Sequence, residues 1–183
     1  MKTKTSKSGG FVEIRRSLLK LRKPQLINLI GELHRMSKEN QRFLEARLGN
    51  PLKQLPEYRK LVGDCMFPDV FSKNANVRIV EAKRAIRQYE RAAGEPAGTV
   101  DLMLTFVEQG TAFANDVGYG DDSFFSALEG MLARALALLE QSTEELRHSL
   151  KPRLIRLADS ARHLGWGYGD FVTEAIDNAL ESD

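Results

Sequence analysis

Apolar residues return every three to four positions along nearly the whole chain, the period of helices that bury one face. Ile14, Leu18 and Leu21 share a face of a first short segment. Pro24 stands where a helix begins, and Leu26, Leu29, Ile30, Leu33 and Met36 follow it at helical spacing. The pattern resumes at Phe43, Leu44 and Leu48 and stops at Gly49-Asn50-Pro51. Pro56 is expected to open a short helix through Leu61 and Val62, followed by a loop over 64–76 anchored by Phe67 and Phe71. Asn76 is the expected N-cap of a helix whose face is Ile79, Val80, Ala82, Ile86 and Tyr89. After the break "GEPAGT", Thr99 is expected to cap a helix carrying Val100, Leu104, Val107 and Phe113.

The most apolar segment, Ser123–Leu139, reads as a central core helix. Ser142 with Glu145 three residues later has the capping-box form, and Pro152 is expected to divide that helix from one running to Leu164. A last helix is expected near Phe171–Leu180. The sum is about eight or nine short helices and no strand. The expected fold class is all-α, as one bundle or a short stack of helical hairpins, with short connections making neighbours antiparallel. Residues 1–10, Lys-rich and ending in two glycines, read as a flexible basic arm, and 11–183 as a single helical domain.

Composition narrows the function by exclusion. The chain of 183 residues has one cysteine, Cys65, so no intrachain disulfide and no cysteine-based zinc site can form, which favours a reducing compartment. No secretory leader or membrane-spanning run is visible, and the expected location is the cytoplasm, with no membrane partner. The patterns of a nucleophile elbow, a phosphate-binding glycine loop and a zinc-protease helix are missing, and no cofactor or metal is expected.

Charge changes the picture more. Residues 1–60 carry 15 Lys and Arg against 5 Asp and Glu, while residues 61–183 carry 12 against 20. Such a dipolar chain steers an anionic partner to one end, or its own ends attract each other within or between copies. Lys20, Arg22 and Lys23 lie early in the chain, Arg35, Lys38 and Arg42 recur on one helix pattern, and Arg84, Arg87 and Arg91 on another. These are the candidate binding residues, able to contact phosphates without reading sequence, or to form a solvated face.

The tetrapeptide Gly-Tyr-Gly-Asp occurs at 118–121 and at 167–170, each time between helical patterns. Its glycines suit a helix end and its aspartates a helix start, so one turn built twice is expected. The other reading is a pocket in which Asp116, Asp121, Asp122 and Asp170 offer oxygen ligands to a cation, with Tyr119, Trp166 and Tyr168 packed over it. Arg156 and His163, seven apart on one helix pattern, are the only catalytic candidates. Their spacing resembles the Arg-x4–6-His pair of helical HEPN ribonucleases, which implies acid–base work by the imidazole and charge stabilisation by the guanidinium.

Residues 37–48, 81–90, 101–132 and 164–170 together resemble an uncharacterised bacterial all-helical family, domain of unknown function 6155. The Gly-Trp-Gly at 165–167 is the most specific part. The resemblance implies an intracellular helical domain with the turns Asn115–Asp122 and Gly165–Asp170 as family features, and it supplies no catalytic residue. Members often carry a histidine where this chain has Gly169, so the resemblance implies no histidine-dependent role there. The function expected from the sequence is a non-enzymatic helical binding module that engages a protein partner or itself. The alternatives are nucleic-acid binding by the basic N-terminal third and, behind it, the ribonuclease.

Overall fold

The computed structural model describes residues 10–69, 71 and 76–181, so the basic arm lies, but for Gly10, outside the described residues. Their contacts group the chain into a smaller unit ending at Leu44 and a larger one beginning at Glu45. Among the described residues there are nine helices and no strand. They are α1 (Phe11–Leu18), α2 (Lys23–Met36), α3 (Lys38–Leu48), α4 (Pro51–Met66), α5 (Ile79–Ala93), α6 (Pro96–Val117), α7 (Asp122–Glu140), α8 (Glu144–Ala161) and α9 (Tyr168–Glu181). The all-α expectation holds, but the helices are not all short: α6, α7 and α8 have 22, 19 and 18 residues.

In the smaller unit α1 and α2 bury no residue. Gln25 opens α2 by accepting the Arg22 backbone N–H at 2.8 Å, and the Asn40 amide donates to the Leu33 carbonyl at 2.8 Å, tying the start of α3 to the end of α2.

The larger unit is built on α6, whose apolar residues lie on nearly every face and are mostly buried. α4, α5, α7 and α8 pack on it, and α9 packs on α7 and α8. α7 supplies Phe124, Phe125, Leu128 and Leu132, so it is the core helix its sequence announces.

Ion pairs fasten the outer helices. Arg153 of α8 forks onto Glu108 with two bonds of 2.7 Å and reaches Asp101 at 2.7 Å and the Thr105 hydroxyl at 3.1 Å, all on α6. Arg59 of α4 closes on the second Asp101 oxygen at 2.9 Å. Arg134 of α7 forks onto Glu90 of α5 at 2.7 Å.

Several boundaries differ from the sequence reading. α4 begins at Pro51, capped by the Asn50 side chain, and runs through Pro56. α8 likewise runs through Pro152. Each proline costs a hydrogen bond, yet the buried residues that hold both helices in place, among them Val62 and Met66 of α4 and Leu157 and Ala161 of α8, lie beyond it. Glu95, not Thr99, caps α6, accepting from Ala97 and Gly98. α5 starts three residues after Asn76, and Thr143 rather than Ser142 caps α8, accepting from Leu146 at 3.3 Å. Phe67 is half-buried as expected of an anchor, but Phe71 is 94% exposed. No described helix is long and apolar enough to cross a membrane.

Candidate functional site

One end of the larger unit gathers the C-termini of α4, α6 and α8 with the N-termini of α5, α7 and α9. The Arg78 N–H donates to the Cys65 carbonyl at 2.9 Å, joining α4 to α5. The Asn115 amide donates to the Ser160 carbonyl at 2.8 Å, joining α6 to α8. Both Gly-Tyr-Gly-Asp segments lie here, and a continuous run of rings links them. Phe67 meets Phe113, Phe113 meets Tyr119, and Tyr119 meets Phe124, all edge to face with centroids 5.6 to 5.7 Å apart. Phe124 then meets Phe125 at 5.5 Å, and Phe125 meets Tyr168 at 5.0 Å. Such pairs add about 0.5–1.5 kcal/mol each beyond burial, so the loops stand on a stiff base.

The two segments are nevertheless not one turn built twice. In the first, Gly118 ends α6 in the left-handed region (φ 66°) with its N–H on the Ala114 carbonyl. Tyr119 and Gly120 form the link, and Asp121 caps α7, accepting from the Phe124 N–H and the Ser123 hydroxyl at 2.8 Å. Those bonds to its charged form hold the exposed Asp121 carboxyl below its ordinary value. In the second, only Gly167 (φ 75°) precedes the helix, and Tyr168, Gly169 and Asp170 are already in α9. Asp170 is therefore a first-turn acid, not the cap.

The second glycines serve different ends too. A Cβ on Gly120 would strike the Phe125 ring, whereas one on Gly169 would sit 2.7 Å from the Ala161 carbonyl and 3.0 Å from two further carbonyls closing α8. Tyr168 is wholly buried, its hydroxyl 2.6 Å from that of Thr111, and burial pushes its phenol well above the usual tyrosine range. Tyr119, its counterpart, is 48% exposed.

Trp166 is the exception to every local rule. It is 79% exposed and stands at φ 61°, the one non-glycine residue with positive φ among those described. A left-handed backbone at a bulky residue costs about 1–3 kcal/mol and persists only where its surroundings impose it. Val117, Tyr119 and Phe71 are also exposed at this end. Asp116, Asp121, Asp122 and Asp170 lie exposed on the same end. They do not make the cation pocket considered from the sequence: no group of three or more His, Cys, Asp or Glu among the described residues is placed to hold a metal ion.

The remaining candidates lie elsewhere. Arg156 is exposed on α8, and His163, also exposed, lies in the turn just past the end of that helix at Ala161. Lys20 and Arg22 lie in the link into α2 and Lys23 opens that helix, Arg35 and Lys38 are exposed around the α2–α3 junction, and Arg42 is half-buried. Arg84, Arg87 and Arg91 form an exposed stripe on α5, opposite the buried Ala85, Ile86 and Tyr89.

Sequence reasoning missed the ring contacts that unite the turns. Phe125 and Tyr168 are 43 residues apart, and no periodicity joins residues so distant. The signal available was the doubled tetrapeptide itself. No family model, no curated protein and no solved structure matches the chain.

Proposed function

We propose that the protein is a non-enzymatic binding module and that the loop end of the larger unit is its docking surface for a basic, amphipathic helix of a protein partner. The observation that carries the reading is Trp166: an exposed indole held in a costly backbone conformation, two residues before Tyr168, which closes the run of ring contacts. Aromatic anchors of this kind dominate binding energetics because they bring large area at small entropic cost. The surrounding aspartates set the sign of the partner's charge, and the exposed Tyr119 and Val117 its apolar stripe. The resemblance to the domain-of-unknown-function family rests in part on these same two turns.

Trp166 is the chain's only tryptophan, so it reports on the surface directly. Titration of the full-length protein with a synthetic Leu/Lys amphipathic helix is expected to shift its emission to the blue, less so as salt rises, while a Leu/Glu helix has no effect. An emission spectrum indifferent to both peptides would refute the reading.

A second reading rests on the α5 stripe of Arg84, Arg87 and Arg91, whose spacing lets one helix face run along a phosphate backbone. It predicts nucleic-acid affinity that falls steeply with salt and drops on charge reversal at these arginines. Binding indifferent to both would exclude it.

A further inference from the structure

We propose that the helix docked on the loop end is supplied by a second copy of the chain, from its own α1–α2 pair; this rests on the reading of the loop end as a docking surface. Neither α1 nor α2 has a buried residue. Yet both expose large apolar side chains, Phe11, Val12 and Ile14 on α1 and Ile27, Ile30, Leu33 and Met36 on α2, while Leu18, Leu21, Leu26 and Leu29 are half-buried.

Charge selects the partner. The chain through residue 44 carries 11 Lys and Arg against 3 Asp and Glu, and the chain from residue 45 carries 16 against 22. Pairing α1–α2 with its own copy would bring two basic surfaces together, whereas docking it on the acidic, aromatic loop end of another copy joins opposite charges. A reciprocal exchange between two copies closes the assembly with both interfaces filled, the commonest symmetry of oligomers. Exposed apolar side chains on the basic helices, exposed aromatic side chains at the loop end and opposite charge are thereby satisfied together.

Sedimentation velocity on the full chain, with Trp166 emission recorded on the same samples, tests this. Two variants divide the interface. Leu33→Glu with Met36→Glu alters only exposed positions of α2 and disables the docked helix. Tyr119→Ala with Trp166→Gly disables the acceptor. The proposal predicts that the wild-type chain associates as concentration rises, with a blue shift, and that each variant alone remains a monomer. Mixing the two variants restores a one-to-one complex, in which the only tryptophan present, on the α2 variant, shifts to the blue. The mixed complex keeps one interface of two and dissociates at least tenfold more readily than the wild type.

Association that survives in the Tyr119/Trp166 variant would overturn the proposal in favour of α1–α2 pairing with itself. A mixture that stays monomeric would overturn it as well. So would a wild-type monomer that sediments with phosphatidylserine vesicles instead, which would assign the basic helices to a lipid surface. If the full chain stays monomeric while the Leu/Lys helix still shifts Trp166, the self-docking fails and the docking surface stands; if neither moves the emission, both fail.

Discussion

Replacing Trp166 with glycine separates binding from folding at the loop end. The native backbone at this residue is left-handed, which glycine adopts freely, so the substitution relieves about 1–3 kcal/mol of strain. Against that, the unfolded chain gains freedom worth about 0.4–1 kcal/mol. The indole is 79% exposed, so the fold forfeits only the roughly 50 Å² of ring surface that is covered, about 1.3 kcal/mol at 25 cal/mol per Å². The three contributions cancel to within about 1 kcal/mol, where a buried tryptophan would cost about 3–5 kcal/mol on truncation. Urea unfolding followed by far-UV circular dichroism should therefore give a midpoint close to the wild type and an unchanged slope. Helix binding and self-association, in contrast, should be lost. A destabilisation of several kcal/mol would show that the indole is packed, and the argument from exposure would collapse.

Four further expectations follow from the packing. Arg153→Met strips the cation from Asp101 and Glu108, which are only 15% and 29% exposed; unfolding should become easier by about 3 kcal/mol, with Glu108→Leu recovering part of the loss in a double-mutant cycle. Gly169→Ala should destabilise by about 1–2 kcal/mol, because the added methyl meets three backbone carbonyls, and overpacking of that kind exceeds the roughly 1 kcal/mol of helix propensity gained. Gly130→Ala, in mid-α7 with nothing within 4 Å of the new methyl, should stabilise by about 0.5–1 kcal/mol in the same assay. Burial, then Glu95, pushes Tyr89 up to about 12; its neutral phenol favours the fold below the unfolded value of about 10, and stability should fall as pH rises from there towards about 12. Tyr89→Phe should flatten that decline in urea titrations at alkaline pH, and an unaltered decline would contradict the assignment.

The architecture was legible wherever one helix face carries the information. The helical spacing of α2 and α5 and the core role of α7 follow from spacing and residue type alone, and the first tetrapeptide announces an aspartate at the start of α7 without choosing between Asp121 and Asp122. Pro56 and Pro152 misled because a local breaker was weighed without the tertiary burial beyond it that keeps α4 and α8 intact. Residue type favours Thr99 as a cap because glutamate is an unusual one, yet Glu95 receives two N–H groups while Pro96 needs none. The repeated Gly-Tyr-Gly-Asp was the best pointer to the site, but identical letters hid different structures. Tyr119 is solvent-facing and Tyr168 buried because one tetrapeptide bridges two helices and the other starts one. Trp166 gave no sign of its backbone conformation, since its left-handed φ is imposed by the turn around it.

The most direct test of the account is nuclear magnetic resonance mapping of the full-length protein on addition of the Leu/Lys helix. The account predicts shifts concentrated at residues 67–69, 71, 116–122 and 162–170, with the Trp166 indole N–H foremost. Shifts centred on the α5 stripe of Arg84, Arg87 and Arg91, or none at all, would contradict it.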